Sequence, residues 1–469
     1  MTTVTSGKAF DTVIRGGRVV LETEERDLDI GIRDGKIAAL ASPGSLPDID
    51  REISAAGRFV IPGGIDTHTH INWPLANGTS LDDFPSASEA AAISGTTTLL
   101  DFVPPPRSAT HLEAGMARLA QAENRCATDF SFHPIIVDAS EQTMLDIAEL
   151  ARLGMSSFKI FTTYDDMRLT DGEIFDVMKT IHAAGGLAGF HAENDEIIAH
   201  SVDKLAAAGR TTVSEFPNSR PELAEVAAID LISLYARKLD QPIFIFHVSG
   251  GDGVEAILQA RNIGTQVRAE TCTHYLVFNR SAYEQEDGWM YVITPPLREE
   301  ADREVLWSAL KEGTLDCVGS DHCAYGAVHK KPDSNDFKAM DAGAPGIDAR
   351  MPVVWSHGVS AGRLSPVEYA RVTALGPAQT FGLYPRKGAI RVGADADLVI
   401  IDAERQWTWP IFERREGSDF QPYGGITGTG FPELTMLRGK VIAENGEFCG
   451  EEHIGQVLAQ NIDSASWNK

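Results

Sequence analysis

Cysteine is scarce in this sequence, and what there is shows no pairing. The five cysteines (Cys126, Cys272, Cys317, Cys323 and Cys449) are odd in number and scattered over 469 residues, with no C-x-x-C among them. That excludes a disulfide framework and a structural zinc knuckle, and leaves the thiols reduced. Long apolar runs are missing too: none approaches the ~20 residues a membrane span needs. The N-terminus, Met1-Thr2-Thr3-Val4-Thr5-Ser6-Gly7-Lys8, lacks a basic region followed by an apolar core. A cytoplasmic address without membrane partners is the resulting expectation. Positive charge is in short supply, since 41 Lys and Arg against 67 Asp and Glu give a formal net charge of −26. Such a surface disfavours nucleic acid and anionic membranes, although plain solubility accounts for it and no partner follows from it. Low complexity is confined to Pro104-Pro105-Pro106. With 43% hydrophobic and 23% charged residues, the remainder is that of a soluble globular enzyme with one large and one smaller domain.

The two ends of the chain read as antiparallel β. Asp11-Thr12-Val13-Ile14-Arg15 leads into Gly16-Gly17, and Ile30-Gly31-Ile32 meets Lys36-Ile37-Ala38 across Asp34-Gly35, a favoured two-residue hairpin turn. The same texture returns in Ala396 to Ile401 and in Leu437 to Ile442, the latter followed by Asn445-Gly446. Neither part can bury a face alone, so both ends are expected to join in one small sandwich. Between them, eight short apolar strands alternate with helical stretches, beginning at Phe59-Val60-Ile61 and ending at Asp316-Cys317-Val318-Gly319. Thr170-Asp171-Gly172-Glu173 predicts a capping box, and Gly95, Gly154, Gly185 and Gly209 stand where helices stop. The fold expected is α/β: a (β/α)8 barrel over 58–385, with an open doubly wound sheet as the alternative. Residues 1–57 and 386–450 form the two parts of the β-sandwich, and 451–469 a C-terminal tail.

Chemistry in such a barrel sits at the C-terminal strand ends, and the candidate ligands fall there. His68 and His70 close strand 1, one residue apart and therefore on one strand face. Lys159 lies in strand 4, His191 ends strand 5, His247 ends strand 6 and Asp321 closes strand 8. Singly, each is read more simply as a hydrogen-bonded core or turn residue; convergence on one barrel mouth points to a metal site. Lys159 needs its own account, because an ammonium is repelled by cations and offers no lone pair. It is either a buried structural lysine or a neutral amine that has combined with carbon dioxide. The resulting carbamate is an anion with two oxygens able to bridge two metals, and charge balance favours it.

Taken together, these segments resemble the cyclic amidohydrolases, most closely the hydantoinase and dihydropyrimidinase branch. The motifs carrying the resemblance run nearly end to end: Pro62 to His70, Ser80-Leu81-Asp82-Asp83-Phe84, Phe158-Lys159-Ile160-Phe161 with Tyr164, His191-Ala192-Glu193-Asn194, His247-Val248-Ser249, Pro295-Pro296-Leu297-Arg298, Ser320-Asp321-His322-Cys323 and Gly393 to Leu398. The resemblance implies two zinc ions, with His68, His70 and Asp321 on one, His191 and His247 on the other, and N6-carboxylated Lys159 bridging them. It further implies that Tyr164 supports the carbonyl oxygen as it becomes an oxyanion, and that Thr294, where the branch usually has Ser, binds the cyclic amide. Ala342 stands where the family generally has Asn, so its backbone is the part expected to bind substrate.

The function expected is ring opening of a small cyclic amide, a hydantoin or dihydropyrimidine, to an N-carbamoyl amino acid. Asp321 is expected to carry the proton to the departing nitrogen. Allantoinase or dihydroorotase activity is the rival among enzymes; a non-catalytic scaffold is the rival outside them. His133, His274 and His322 are assigned structural or supporting roles, and Trp73, Leu75, Phe102 and Val103 are candidates for a pocket wall. The resemblance implies a homo-oligomer, a tetramer. Ile454, Val457, Leu458 and Ile462 are spaced for an apolar helical face, either an arm on a neighbour or a tail folded on its own barrel.

Overall fold

A computed structural model describes residues 9–75, 78–104, 108–331, 334–411, 415, 417–451 and 453–463. Pro105, Pro106 and tail residues 464–469 lie outside the described residues.

Strands from both chain ends hydrogen-bond into one nine-stranded sheet. Leu398–Thr408 runs antiparallel to Phe59–Pro62, and that pairing welds the C-terminal half of the sheet to the N-terminal half. Its private core draws on both halves, with Ile14, Ile30 and Val60 packed with Leu398, Ile400 and Met436. The Asp34-Gly35 turn forms as predicted, both residues at positive φ (53° and 74°) between paired Arg33 and Lys36. Asn445-Gly446 does the same between Glu444 and Glu447.

The centre of the chain forms eight parallel strands: Gly64–Thr69, Thr96–Val103, Asp129–Ile136, Ser157–Phe161, Leu187–His191, Ile243–Ile245, Val267–Cys272 and Cys317–Gly319. The eighth returns to the first at its C-terminal end, where His70 N–H donates to His322 O at 2.7 Å. Gly95 (φ 97°) and Gly154 (φ 91°) end helices as expected, and the Glu173 carboxylate accepts the Thr170 N–H at 2.8 Å.

One strand is placed differently from the sequence expectation. Phe59-Val60-Ile61 belongs to the chain-end sheet, not to the barrel, whose first strand is the histidine-bearing segment itself. The reason is alternation: Val60 points into the sheet's core, and Ile61 points into the core shared with the barrel helices. A strand buried on both faces reads the same in either structure.

The tail also differs from the helical expectation. It lies extended against its own barrel, with Phe130 N–H donating to Gln456 O at 3.0 Å and Leu458 N–H to Phe130 O at 2.7 Å. Leu458 and Gln460 are buried while Val457 is 45% exposed, so the working period is two. The Gln460 carboxamide oxygen accepts the N–H groups of Ser156 and Ser157, at 2.8 Å each, which makes a polar residue one of the tail's anchors.

Barrel, sheet and tail meet at one buried cation. Lys387 Nζ lies 2.5 Å from Asp129, 2.5 Å from Asp397 and 3.0 Å from Asp395. Arg438 also binds Asp129, whose other hydrogen bond accepts Gln456 N–H at 2.8 Å. Lys387→Met is expected to cost about 3–5 kcal/mol, the usual result of leaving buried charge unpaired; a fall in urea midpoint measures it. Burial works to raise the Asp395 pKa, but Lys387, Lys36 and Arg386 outweigh it and hold the group at about 2. A depressed carboxylate stabilises above its ordinary value of 3.8 and loses that contribution as pH falls toward 2, so part of the acid sensitivity in that window is expected to vanish in the variant.

Candidate active site

The fold brings all six candidate metal ligands and the three candidate substrate-binding residues into one cavity of about 220 Å³. His68, His70, Lys159, His191, His247 and Asp321 share its wall with Tyr164, Thr294 and Ala342. The four imidazoles stand in a row: ring centroids are 5.3 Å apart for His70 and His68, 5.3 Å for His68 and His247, and 4.5 Å for His247 and His191. Asp321 Oδ1 lies 3.0 Å from His68 Nε2 and 3.4 Å from His70 Nε2. Asp321, His247 and Tyr164 all have positive φ, 50°, 41° and 75°, a strained backbone for non-glycine residues that the surrounding packing must hold.

Burial sets the protonation of this row. It pushes His70 and His191 down to about 4 and His247 well below its ordinary value, so these rings are neutral and carry lone pairs. In His68 burial acts the same way, but Asp321 and Glu270 outweigh it and the pKa is raised. For Asp321 burial acts upward, yet the neighbouring His68 and His70 hold the carboxyl well below its ordinary range. Lys159 is pushed down to about 7 by burial, and among the described residues it makes no ion pair. Its Nζ instead sits 3.9 Å above the Phe246 ring. That ring has room only because residue 189 is glycine: a Cβ there would come within 2.4 Å of it.

The donor chemistry fits metal ions. Neutral buried imidazoles, an anionic carboxylate and a lysine of lowered pKa converge, and the ligand atoms of His68, His70 and Asp321 lie within 4.8 Å of one another. Among the described residues His70 Nδ1 and His247 Nδ1, both buried, have no hydrogen-bond partner, a cost that a bare protein core does not explain.

The family model described as "Amidohydrolase family" matches residues 59–442. The chain belongs to that family. A D-hydantoinase of Ralstonia pickettii is 37% identical over 455 residues, which cover 96% of this chain and 98% of the relative. A solved structure described as D-hydantoinase has a TM-score of 0.92 at 35% identity, covering 97% of this chain and 99% of that one. The dihydropyrimidinase from Brevibacillus agri NCHU1002 also has a TM-score of 0.92, at 31% identity, covering 96% and 99%.

This amidohydrolase surrounds its candidate ligands with acidic partners, Glu270 and Glu193, whose roles the sequence did not disclose. Glu270, inside the seventh strand, accepts from His68 Nδ1 at 2.5 Å, from the Thr67 hydroxyl, and from His247 N–H at 3.3 Å. With Nδ1 so occupied, His68 has only Nε2 for the cavity. Glu193 makes the opposite choice for His191, taking Nε2 at 2.7 Å and leaving Nδ1. The available signal was a charge at an inward position of an apolar strand, since Glu270 is fully buried. His133 and His322 have the supporting roles expected of them. The first bonds Ser157 Oγ at 2.5 Å and Thr67 O at 3.2 Å; the second bonds Asp82 Oδ2 at 3.2 Å and accepts Gly346 N–H at 3.1 Å. His274 stands beside Cys272 and Asp321. Of the four pocket-wall candidates Trp73 lines the cavity, whereas Phe102 stacks beneath His70 at 4.8 Å and Val103 and Leu75 pack elsewhere.

Proposed function

We propose that this chain hydrolyses the cyclic amide bond of hydantoins or dihydropyrimidines to give N-carbamoyl amino acids. The cavity that gathers six candidate metal ligands around a hydrogen-bonded Tyr164–Thr294 pair carries this reading, supported by relatives described as D-hydantoinase and dihydropyrimidinase. His68, His70 and Asp321 would hold one zinc ion and His191 and His247 a second, with Lys159 as a bridging carbamate. When bound, the metals supply Lewis acidity toward the amide carbonyl and lower the pKa of water. To form the carbamate, the neutral Lys159 nitrogen bonds to the carbon of carbon dioxide, one C=O electron pair moves to oxygen, and the nitrogen proton leaves to solvent. An amine whose pKa burial has brought to about 7 is neutral often enough for this near neutral pH.

The remaining work belongs to the chain. Tyr164 Oη and Thr294 Oγ1, 2.5 Å apart, present hydroxyls where the carbonyl oxygen gains charge. Asp321, lying among the histidines, takes the proton that the attacking water gives up and delivers it to the ring nitrogen as the C–N bond breaks. Ala342 and Gly343 line the cavity, where their backbone would meet the ring, and Trp73, Phe161, Met167 and Tyr325 would offer an apolar wall to a ring substituent. No helix among the described residues is long and apolar enough to cross a membrane; a cytoplasmic homotetramer is the proposed setting.

Purified protein assayed on dihydrouracil, 5-substituted hydantoins, allantoin and dihydroorotate, alongside metal analysis and light scattering, tests this reading. Turnover of the first two classes with two zinc equivalents per chain is the expected result. Preference for allantoin or dihydroorotate would reassign the substrate. Far less than two equivalents without turnover would favour a scaffold.

A further inference from the structure

Arg220 is a buried cation that the chemistry above does not use. It follows the short helix Phe216–Ser219 and is held from behind, its carbonyl accepting from Arg298 Nη1 at 2.6 Å. Arg298 is fixed in turn by the Ser249 hydroxyl at 3.0 Å, and Ser249 N–H donates to Glu225 at 2.9 Å. From this braced position the guanidinium reaches two parts of the site. Its Nη1 donates to Glu193 Oε2, the oxygen that also accepts from His191 Nε2. Its Cζ lies 5.0 Å from the centroid of the Tyr164 ring, and that ring packs edge-on against His191 with centroids 5.4 Å apart.

Two consequences follow from elementary electrostatics. A carboxylate that also carries an arginine is locked in orientation, so the histidine it holds keeps Nδ1 toward the cavity. A desolvated cation against a phenol ring draws electron density from the hydroxyl and makes it a stronger donor to an oxygen that is becoming negative. The second effect grows with charge on that oxygen, so it acts on the transition state more than on the bound substrate.

We propose that Arg220 is a positioning residue joining the two functions of the site, fixing His191 through Glu193 and strengthening Tyr164 as a hydrogen-bond donor. The tyrosine half rests on the proposed amide hydrolysis; the histidine half does not.

A two-by-two set in the zinc-loaded full chain decides the tyrosine half: Arg220→Met, Tyr164→Phe and the double variant. At saturating zinc, Arg220→Met is expected to lower kcat by roughly tenfold or more with KM within about threefold. In the Tyr164→Phe background the same change should cost less than about threefold, because groups acting through one another are not additive. Equal losses in both backgrounds, or a loss carried entirely by KM, overturn this half. Should Arg220→Met fail to fold, Arg220→Gln removes the charge while still offering Glu193 an N–H donor, and must show the same non-additivity. Zinc titration by chelator competition decides the histidine half without any substrate. Arg220→Met or Arg220→Lys, and Glu193→Gln, are expected to weaken zinc binding about 10–100-fold, and unchanged affinity in these variants overturns it. If the parent protein hydrolyses no member of the substrate panel, the functional reading fails, and the zinc titration still decides whether Arg220 fixes His191.

Discussion

Asp321→Asn is expected to lower kcat by roughly 10²–10⁴-fold at full metal occupancy, with a much smaller change in KM. The replacement is nearly isosteric and keeps one oxygen beside His68 and His70, so it tests proton transfer rather than shape. An amide can neither accept the proton released by the attacking water nor return it to the ring nitrogen. The neighbouring histidines hold Asp321 ionised despite its burial, so it is free to accept a proton, and its backbone at φ 50° places it at the cavity wall. Turnover and bound metal should be measured on the same samples. Turnover within about threefold of the parent, with metal present, would remove Asp321 from the chemistry.

Lys159→Ala is expected to abolish most activity and most binding of the second metal together. Loss of a bridging anion removes a ligand from both ions, and a metal ion contributes several kcal/mol of transition-state stabilisation, which corresponds to a loss on the order of 10³-fold or more. The environment of Lys159 supports a modified side chain over a structural lysine. Burial, with no ion pair among the described residues, brings its pKa down to about 7, so the group is not a permanent ammonium. Carbon NMR of enzyme reconstituted with labelled bicarbonate should give a carbamate signal in the parent and none in the variant. A silent spectrum from an active, metal-loaded parent would exclude the carbamate.

Much of this protein could be read before folding was considered. Candidate ligands fall near strand ends because parallel barrel strands all deliver their C-terminal residues to one mouth; His68, His70, Lys159, His191, His247 and Asp321 could therefore be singled out by position. The Asp34-Gly35 and Asn445-Gly446 turns were legible because their residue types tolerate the positive φ such turns demand. Tertiary structure decided the rest. Phe59 to Ile61 joins the chain-end sheet rather than the barrel, since a strand apolar on both faces carries no mark of which neighbour it pairs with. The tail is anchored through Gln460, whose value depends on the Ser156 and Ser157 amides that only folding brings to it. Along the chain Glu270 shows only as a charge within an apolar strand, Glu193 only as a neighbour of His191, and Arg220 as an ordinary surface charge. Each becomes part of the site only when burial removes its water and leaves a candidate ligand histidine or another buried charge as its partner, and that pairing exists in three dimensions alone.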